Sequence, residues 1–504
     1  MRPRNGVAAA SVKTFVRLVL ARDQPLRLSE MARRAPGTNL LAAYEFLDRP
    51  YLRADTIAKT SLRSLRGIMT DLVRRVFLKS TVAAASAGVS ILGANDRINL
   101  AVIGLRGRGR DHMATFSKIP GCRVAAICDI DAGQIGPAQK LLDELHNPPP
   151  VVYRDLRRVF ESKDIDAVTI ATPNHWHALA TIWACQAGKD VYVEKPASHS
   201  IWEGRRAVEA ARKYSRIVQC GMQARSLEHY RRAIELVRNG GIGKVYMAKG
   251  LCFKRRLSIG RKPDGPVPAG VDYDLWTGPA AKLPFNPNRF HYNWHWFWNT
   301  GNGDIANQGV HEMDIARWGL NKSTAPAKVT SMGGKFVYDD DQETPNTQLA
   351  AFNYGDAEQV FEVRGLITGS EGNMVLEEEK HYIGVIFLGS EGYLTVDCNG
   401  FQVFMGEKRE RTQQVQHVEE EIWSTRPHAE NFLKAVRSRN RGDLNCDILE
   451  GHISATLCHM ANTSYRVGRT LAFDAKGETF GADSEANRYL SREYRAPFRV
   501  PSEV

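Results

Sequence analysis

RINLAVIGLRGRGR, residues 97–110, is an apolar strand that runs into a glycine-rich turn and then into a helical pattern. Gly104, Gly107 and Gly109 permit the tight turn and the close backbone approach that a pyrophosphate at a helix N-terminus requires. Arg106 takes the middle position of a GxGxxG pattern, so its side chain either turns outward or changes how phosphates are held. Arg106 and Arg108, interleaved with the glycines, are counted with the same candidate cofactor loop.

The next apolar strand, CRVAAICDID (residues 122–131), ends at Asp129, 25 residues beyond Gly104. That is near the spacing expected of the acid that binds a ribose 2′-hydroxyl. An acid there repels a 2′-phosphate and favours NAD over NADP, and Arg106 is the residue that could soften this preference. A helix over 132–146 and a Pro-rich turn lead to the strand DAVTIATP (residues 166–173), then to Asn174-His175-Trp176-His177 and a helix over 178–187. Strands alternating with helices of this length predict right-handed crossovers and a parallel, doubly wound sheet. No carboxylate or cysteine completes a metal set around His175 and His177, so they read as loop residues over the cofactor.

DVYVEKP (residues 190–196) is an alternating strand shut off by Pro196. It delivers Glu194 and Lys195 to the carboxyl edge of the sheet, where open α/β sheets bind ligands. A lysine there is a proton donor or acceptor for a substrate hydroxyl if burial and cationic neighbours lower its pKa. Read alone, Glu-Lys-Pro is a surface lysine after a strand, and it is the surroundings that reverse this reading.

The chain of 504 residues is too long for one ordinary core. Its net charge of +12 is concentrated at one end: thirteen Lys and Arg against five Asp and Glu between Met1 and Thr70 account for +8. The near-neutral remainder argues against a nucleic-acid groove and for a small-molecule partner. The eight cysteines form no CxxC pair and suggest no metal site; two could pair in an oxidising compartment. Arg74-Arg75 followed by Phe77-Leu78-Lys79 and a weakly apolar Ala/Ser/Gly/Val run resembles a twin-arginine export signal, an address read by export machinery. The run falls short of the ~20 residues a spanning helix needs. The alternative is an amphipathic helix beginning with two arginines. Met69 stands just upstream, so translation is expected to start there, with residues 1–68 an over-extended frame or an unfolded leader.

Beyond residue 226, a strand in GKVYMAKGLCF and further strands at 329–338, 348–354, 359–366, 383–388, 393–397 and 401–404 suggest a mainly antiparallel sheet. Asn307, His311, Asp314 and Trp318 fall at spacings of four, three and four, on one face if the stretch is helical. The aromatic run FHYNWHWFW (residues 290–298), with Trp294 at its centre, reads either as sugar-stacking surface or as packing. His291 and His295 find no third metal ligand.

AVIGLRGRGR, CDID, ATPNHWH, DVYVEKP, VQCGMQARS and GDIANQGVHEMDIARWGL, in this order, resemble the Gfo/Idh/MocA oxidoreductases, named for glucose-fructose oxidoreductase and inositol dehydrogenase. The resemblance is closest to exported bacterial members. It implies an α/β fold: a doubly wound parallel Rossmann domain (95–225) after a signal at 69–94, followed by an α+β domain with a large, mostly antiparallel open sheet (226–475). Helices within 426–466 are expected to pack back on the first domain, and 476–504 to form an extended or disordered arm with Tyr489, Tyr494 and Phe498 as its anchors. By the same resemblance Lys195 is catalytic with His311 beside it, and Glu194 lies by the cofactor. Thr172, Pro173, Asn174 and His177 line the nicotinamide side, while Gln223 and Arg225 face the substrate. Trp294 and Asn307 complete the expected substrate contacts; where many relatives carry aspartate, Asn307 can only orient a hydroxyl. The expectation is a homo-oligomeric, periplasmic, NAD-dependent oxidoreductase of a sugar, glycoside or polyol that retains its cofactor. Its rivals are a glycosidase or lyase using transient oxidation, and a non-catalytic sensor.

Overall fold

The structure is a computed structural model that describes residues 97–368, 381–416, 418 and 424–504. The leader and the export signal lie outside the described residues. Apolar runs with no polar face form the first sheet. Strands β1 (Ile98–Ile103), β2 (Cys122–Cys128), β3 (Val151–Tyr153), β4 (Ala167–Ile170), β5 (Asp190–Val193) and β6 (Val218–Cys220) pair in parallel in the order β3-β2-β1-β4-β5-β6. Crossover helices α1 (Gly107–Phe116), α2 (Ile135–Glu144), α3 (Leu156–Glu161), α4 (His177–Gln186) and α5 (Ile201–Lys213) cover its faces, which is why β4 and β5 are buried at every position. The order reverses between β1 and β4, opening a crevice at their carboxyl ends. The expected doubly wound fold is therefore present. Sequence reading passed over β3, whose Val151 and Val152 are exposed at the sheet edge.

Helix α6 (Glu228–Arg238) leads into β7 (Val245–Lys254), the centre of the second sheet. A long excursion holding α7 (Tyr273–Thr277), then α8 (Asp304–Asn307) and α9 (Gly309–Gly319), precedes β8 (Lys328–Gly334), β9 (Thr347–Asn353), β10 (Glu358–Arg364), β11 (His381–Gly389), β12 (Gly392–Asp397), β13 (Gly400–Met405) and β14 (Glu410–Gln416). Helices α10 (Arg426–Ser438) and α11 (Ile448–Val467), strand β15 (Leu471–Ala472) and helix α12 (Ser484–Asn487) follow. Among the described residues the sheet order is β14-β13-β12-β11-β7-β10-β9-β8-β15, antiparallel except where β7 meets β10. Alternate burial along β9 and β10 turns one face toward the helices, β10 toward α9 and β9 toward α11, and leaves the other more exposed. Among the described residues no helix is long and apolar enough to cross a membrane, and all eight cysteines are free thiols.

One expectation is corrected. The stretch expected to place Asn307 and His311 on one helical face is two helices that break at Gln308, so Asn307 ends one and His311 lies in the next. The arm after residue 476 is a strap held by two of its expected anchors. Phe498 is 2 % exposed and meets the Trp176 ring edge-on at 5.5 Å, and the Tyr494 hydroxyl donates to Glu203 at 3.0 Å.

Arg225, expected at the substrate, is instead a buried joint. It forks onto Asp314 of α9 at 2.7 and 2.9 Å, donates to Glu450 of α11 at 3.0 Å, and lies 5.3 Å from the centre of the Trp318 ring. Arg317 meets the same Glu450 at 2.6 Å. Burial alone would raise the Asp314 pKa, but the Arg225 guanidinium holds it below its ordinary value. Removing one partner strands a buried charge. An Arg225→Met variant is expected to lose about 3–5 kcal/mol of unfolding free energy in urea titration. A variant with unchanged stability and a raised KM would return Arg225 to the substrate.

Candidate active site

The glycine-rich turn is built by close contact. Gly104 has φ +86°, and a Cβ on Gly109 would come within 1.8 Å of the Gly104 carbonyl oxygen. Gly107, at the start of α1, faces open space, the arrangement that admits a phosphate group. Arg106 is exposed and lies on the wall of the cofactor cleft. Asp129 anchors the turn: its carboxylate accepts from the Leu105 amide at 2.8 Å and the Asp131 amide at 2.9 Å. Burial raises its pKa. Each of its oxygens keeps a lone pair for a ribose hydroxyl.

Gly104, Arg106, Asp129, Thr172, Pro173 and Trp294 line one cleft of about 770 Å³. Its far wall comes from the excursion between β7 and α8: Leu275, Trp276, His291 and Trp294. That wall is bolted to the first domain. His291 Nε2 lies 2.9 Å from Asp131 Oδ2, Arg154 donates to the Gly270 carbonyl at 2.6 Å, and the Trp176 indole donates to the Leu275 carbonyl at 2.9 Å. Trp294 thus stands over the same cleft as the glycine turn. The aromatic run divides its labour, since Trp296 lies beneath the Arg256 guanidinium, 5.2 Å from its ring centre.

Glu194 does not lie open at the cleft. It is 4 % exposed and accepts from Arg108 Nε at 2.7 Å, with His112 Nε2 at 3.0 Å from the same oxygen. Burial would raise its pKa, but the Arg108 guanidinium and His112 hold it well below the carboxylate range. Gln223 joins this cluster; with its amide oxygen turned to Arg108, its NH₂ donates to the Gly221 carbonyl at 3.0 Å. His177 is likewise not a cofactor-facing ring, because its nitrogens face the carbonyls of Pro196 at 2.7 Å and Thr172 at 2.8 Å. It fastens the Glu-Lys-Pro turn to the Thr-Pro loop. Asn174 donates to Asn302 Oδ1 at 2.7 Å.

Lys195 Nζ donates to the backbone carbonyl of Asn307 at 2.7 Å. The break after Asn307 matters here, since a continuous helix would commit that carbonyl to its own ladder. The Asn307 side chain turns away and donates to Asp304 at 3.1 Å. Burial lowers the Lys195 pKa against the opposing charge of Glu194, and Arg108 adds to the lowering. Burial, with Lys195 nearby, brings His311 down to about 3, so it is a neutral imidazole.

Three participants escaped sequence reading. Asp304 is buried and forked by Arg256 at 2.8 and 2.7 Å. Glu312 is fully buried, and burial pushes its carboxyl up to about 8. His112 completes the Glu194 cluster. The density of ionisable residues in the apolar pattern of α9 was a signal for Glu312 alone.

The residues fit a dinucleotide: an open helix start, a strand-end acid with spare lone pairs, and Thr172 Oγ1 buried without a partner. Residues 98–222 match the oxidoreductase family's NAD-binding Rossmann fold, and residues 244–500 match its C-terminal alpha/beta domain. A glycosyl hydrolase family 109 protein of Parabacteroides distasonis is 28% identical over 312 residues, 59% of this chain and 64% of that protein. Inositol 2-dehydrogenase of Salmonella typhimurium is 26% identical over 230 residues, 45% of this chain and 56% of the relative. The chain thus spans about three fifths of the curated relatives it matches. Levoglucosan dehydrogenase, solved with NADH and levoglucosan, superposes with a TM-score of 0.57 at 16% identity, covering 75% of this chain and 99% of that one. The glycine turn, the strand-end acid and the two matched domains together place this chain in the Gfo/Idh/MocA oxidoreductase family.

Proposed function

We propose that the chain is an NAD-dependent oxidoreductase that removes hydrogen from a hydroxyl-bearing carbon of a sugar, glycoside or polyol. The observation that carries this reading is Lys195, held at the end of β5 by the Asn307 carbonyl and made less basic by burial. NAD held by the glycine turn, Asp129 and the Thr172 loop supplies the hydride acceptor. Lys195 as free amine accepts the hydroxyl proton, and the Asn307 carbonyl keeps its nitrogen in place. Neutral His311 holds the hydroxyl by hydrogen bonding without adding a charge beside Lys195. The second-domain wall, with Trp294, excludes water from the cleft. Inositol 2-dehydrogenase and levoglucosan dehydrogenase among the similar proteins support a polyol or sugar substrate.

The family 109 relative favours a second reading on the same residues, in which oxidation is transient, a glycosidic bond is eliminated, and the hydride returns with no net redox change. We also place the chain in the periplasm, through the Arg74-Arg75 signal, with its NAD retained. Self-association is supported by Met332 and Leu349, which pair across β8 and β9 and are 64% and 38% exposed.

Protein purified without added cofactor is expected to release NAD on denaturation. Given a panel of sugars and glycosides, the intact protein is expected to show lasting NADH absorbance; bond cleavage without it would select the second reading, and neither would leave a sensor. Because only the free amine accepts a proton, kcat/KM for oxidation should fall as pH drops through the Lys195 pKa. That limb is expected below the ordinary lysine value of 10.5. Lys195→Ala should lower kcat by about 10²- to 10⁴-fold and abolish the limb; unchanged turnover would sink both enzymatic readings.

A further inference from the structure

Helix α11 and the C-terminal strap border a second, open pocket, which shares no lining residue with the cofactor cleft. No carboxylate lines it, whereas Arg466, Arg492, His199 and His459 do. The two arginines are in different states. Arg492 is spoken for: it donates to Glu203 at 2.9 Å, to the Asn299 carbonyl at 3.2 Å and to the His175 carbonyl at 3.0 Å. Arg466, at the mouth, makes no hydrogen bond or ion pair among the described residues. Its guanidinium lies between two rings, 4.8 Å from the centre of Trp298 and 4.3 Å from that of Tyr489. Aromatic faces hold a guanidinium without consuming its N–H donors, so its fork remains available to a planar or tetrahedral oxyanion.

Deeper in, His199 Nε2 is buried with no partner. Burial and the nearby Arg492 charge hold this imidazole well below its ordinary pKa, so it is neutral and suited to a hydroxyl. Buried polar atoms in native proteins are normally satisfied, by protein, water or ligand. A free cationic fork at the mouth and an unsatisfied neutral nitrogen behind it describe a ligand with an acid at one end and hydroxyls at the other.

We propose that this pocket is a second binding site, for a small hydroxylated oxyanion, the chemistry shared by sugar acids and sugar phosphates. Arg466 takes the oxyanion and His199 a hydroxyl. The site stands one layer behind the cofactor loop, because Asn302, which lines it, accepts from Asn174 and donates to the His199 carbonyl at 3.1 Å.

The test is calorimetric titration of the full chain, saturated with NAD, by D-glucuronate and by D-glucose 6-phosphate, with methyl glucoside as the neutral control. At least one acid is expected to bind with a stoichiometry of one, and which of them does so separates carboxylate from phosphate. Arg466→Ala should weaken that binding about ten- to hundredfold, and Arg466→Glu should abolish it. Arg466 is exposed, so these variants are expected to keep their melting temperature and NAD affinity, which are measured alongside. Absence of binding by either acid, equal binding of methyl glucoside, or undiminished binding by Arg466→Ala would overturn the proposal. None of these results would touch the NAD site, which the cofactor titration reads separately.

Discussion

The carboxylate of Glu194 fixes the register between the two functional ends of the first domain. It sits at the end of β5, yet its ligands, Arg108 and His112, belong to α1, the helix that starts at the glycine turn. Burying this charge is tolerable only because a guanidinium and an imidazole meet it at hydrogen-bonding distance. The pairing means that the turn cannot slide against the strand without stranding a charge. Lys195, the next residue, inherits its position from that lock, and the Asn307 carbonyl finishes the job from the second domain. The same cluster sets the lysine electrostatically, because the Glu194 charge that would raise its pKa is largely answered by Arg108.

The second domain contributes more than a covering sheet. Its excursion after β7 reaches back to the tip of β2, where the Asp131–His291 pair and the Arg154–Gly270 bond hold it against the strand that carries Asp129. A cofactor bound in the cleft would be walled by residues from both matched domains. Such a cleft opens only by breaking several polar contacts together.

What the sequence disclosed was local. The β1 strand, its glycine turn and the acid ending β2 are each contained within about a dozen residues, where steric demands and period-two apolarity speak without reference to the rest of the fold. Strands β8 to β13 were legible for the same reason, whereas β14, ERTQQVQ, hides its pairing because it is a polar edge strand. Roles decided by distant partners were illegible. Arg225 looked available because Asp314 and Glu450 lie 89 and 225 residues away. The pattern from Asp304 to Trp318 is compatible with one helix, and the bond that uses the Asn307 carbonyl at the break comes from Lys195, 112 residues away. Glu194 and His177 were assigned to the cofactor by resemblance, while their side chains are engaged with Arg108 and with two backbone carbonyls.

The strap that carries Arg492, Arg495 and Phe498 bears on how the molecule is assembled during synthesis. Arg495 grips Asp274 of the cleft-covering excursion at 3.0 Å, and Phe498 roofs Trp176 and Trp183. These closing pieces leave the ribosome more than three hundred residues after the tryptophans they cover. Until then the nascent first domain presents an apolar aromatic face to its surroundings. The packing of Trp176 and Trp183 is therefore completed only once Phe498 has been made and has docked.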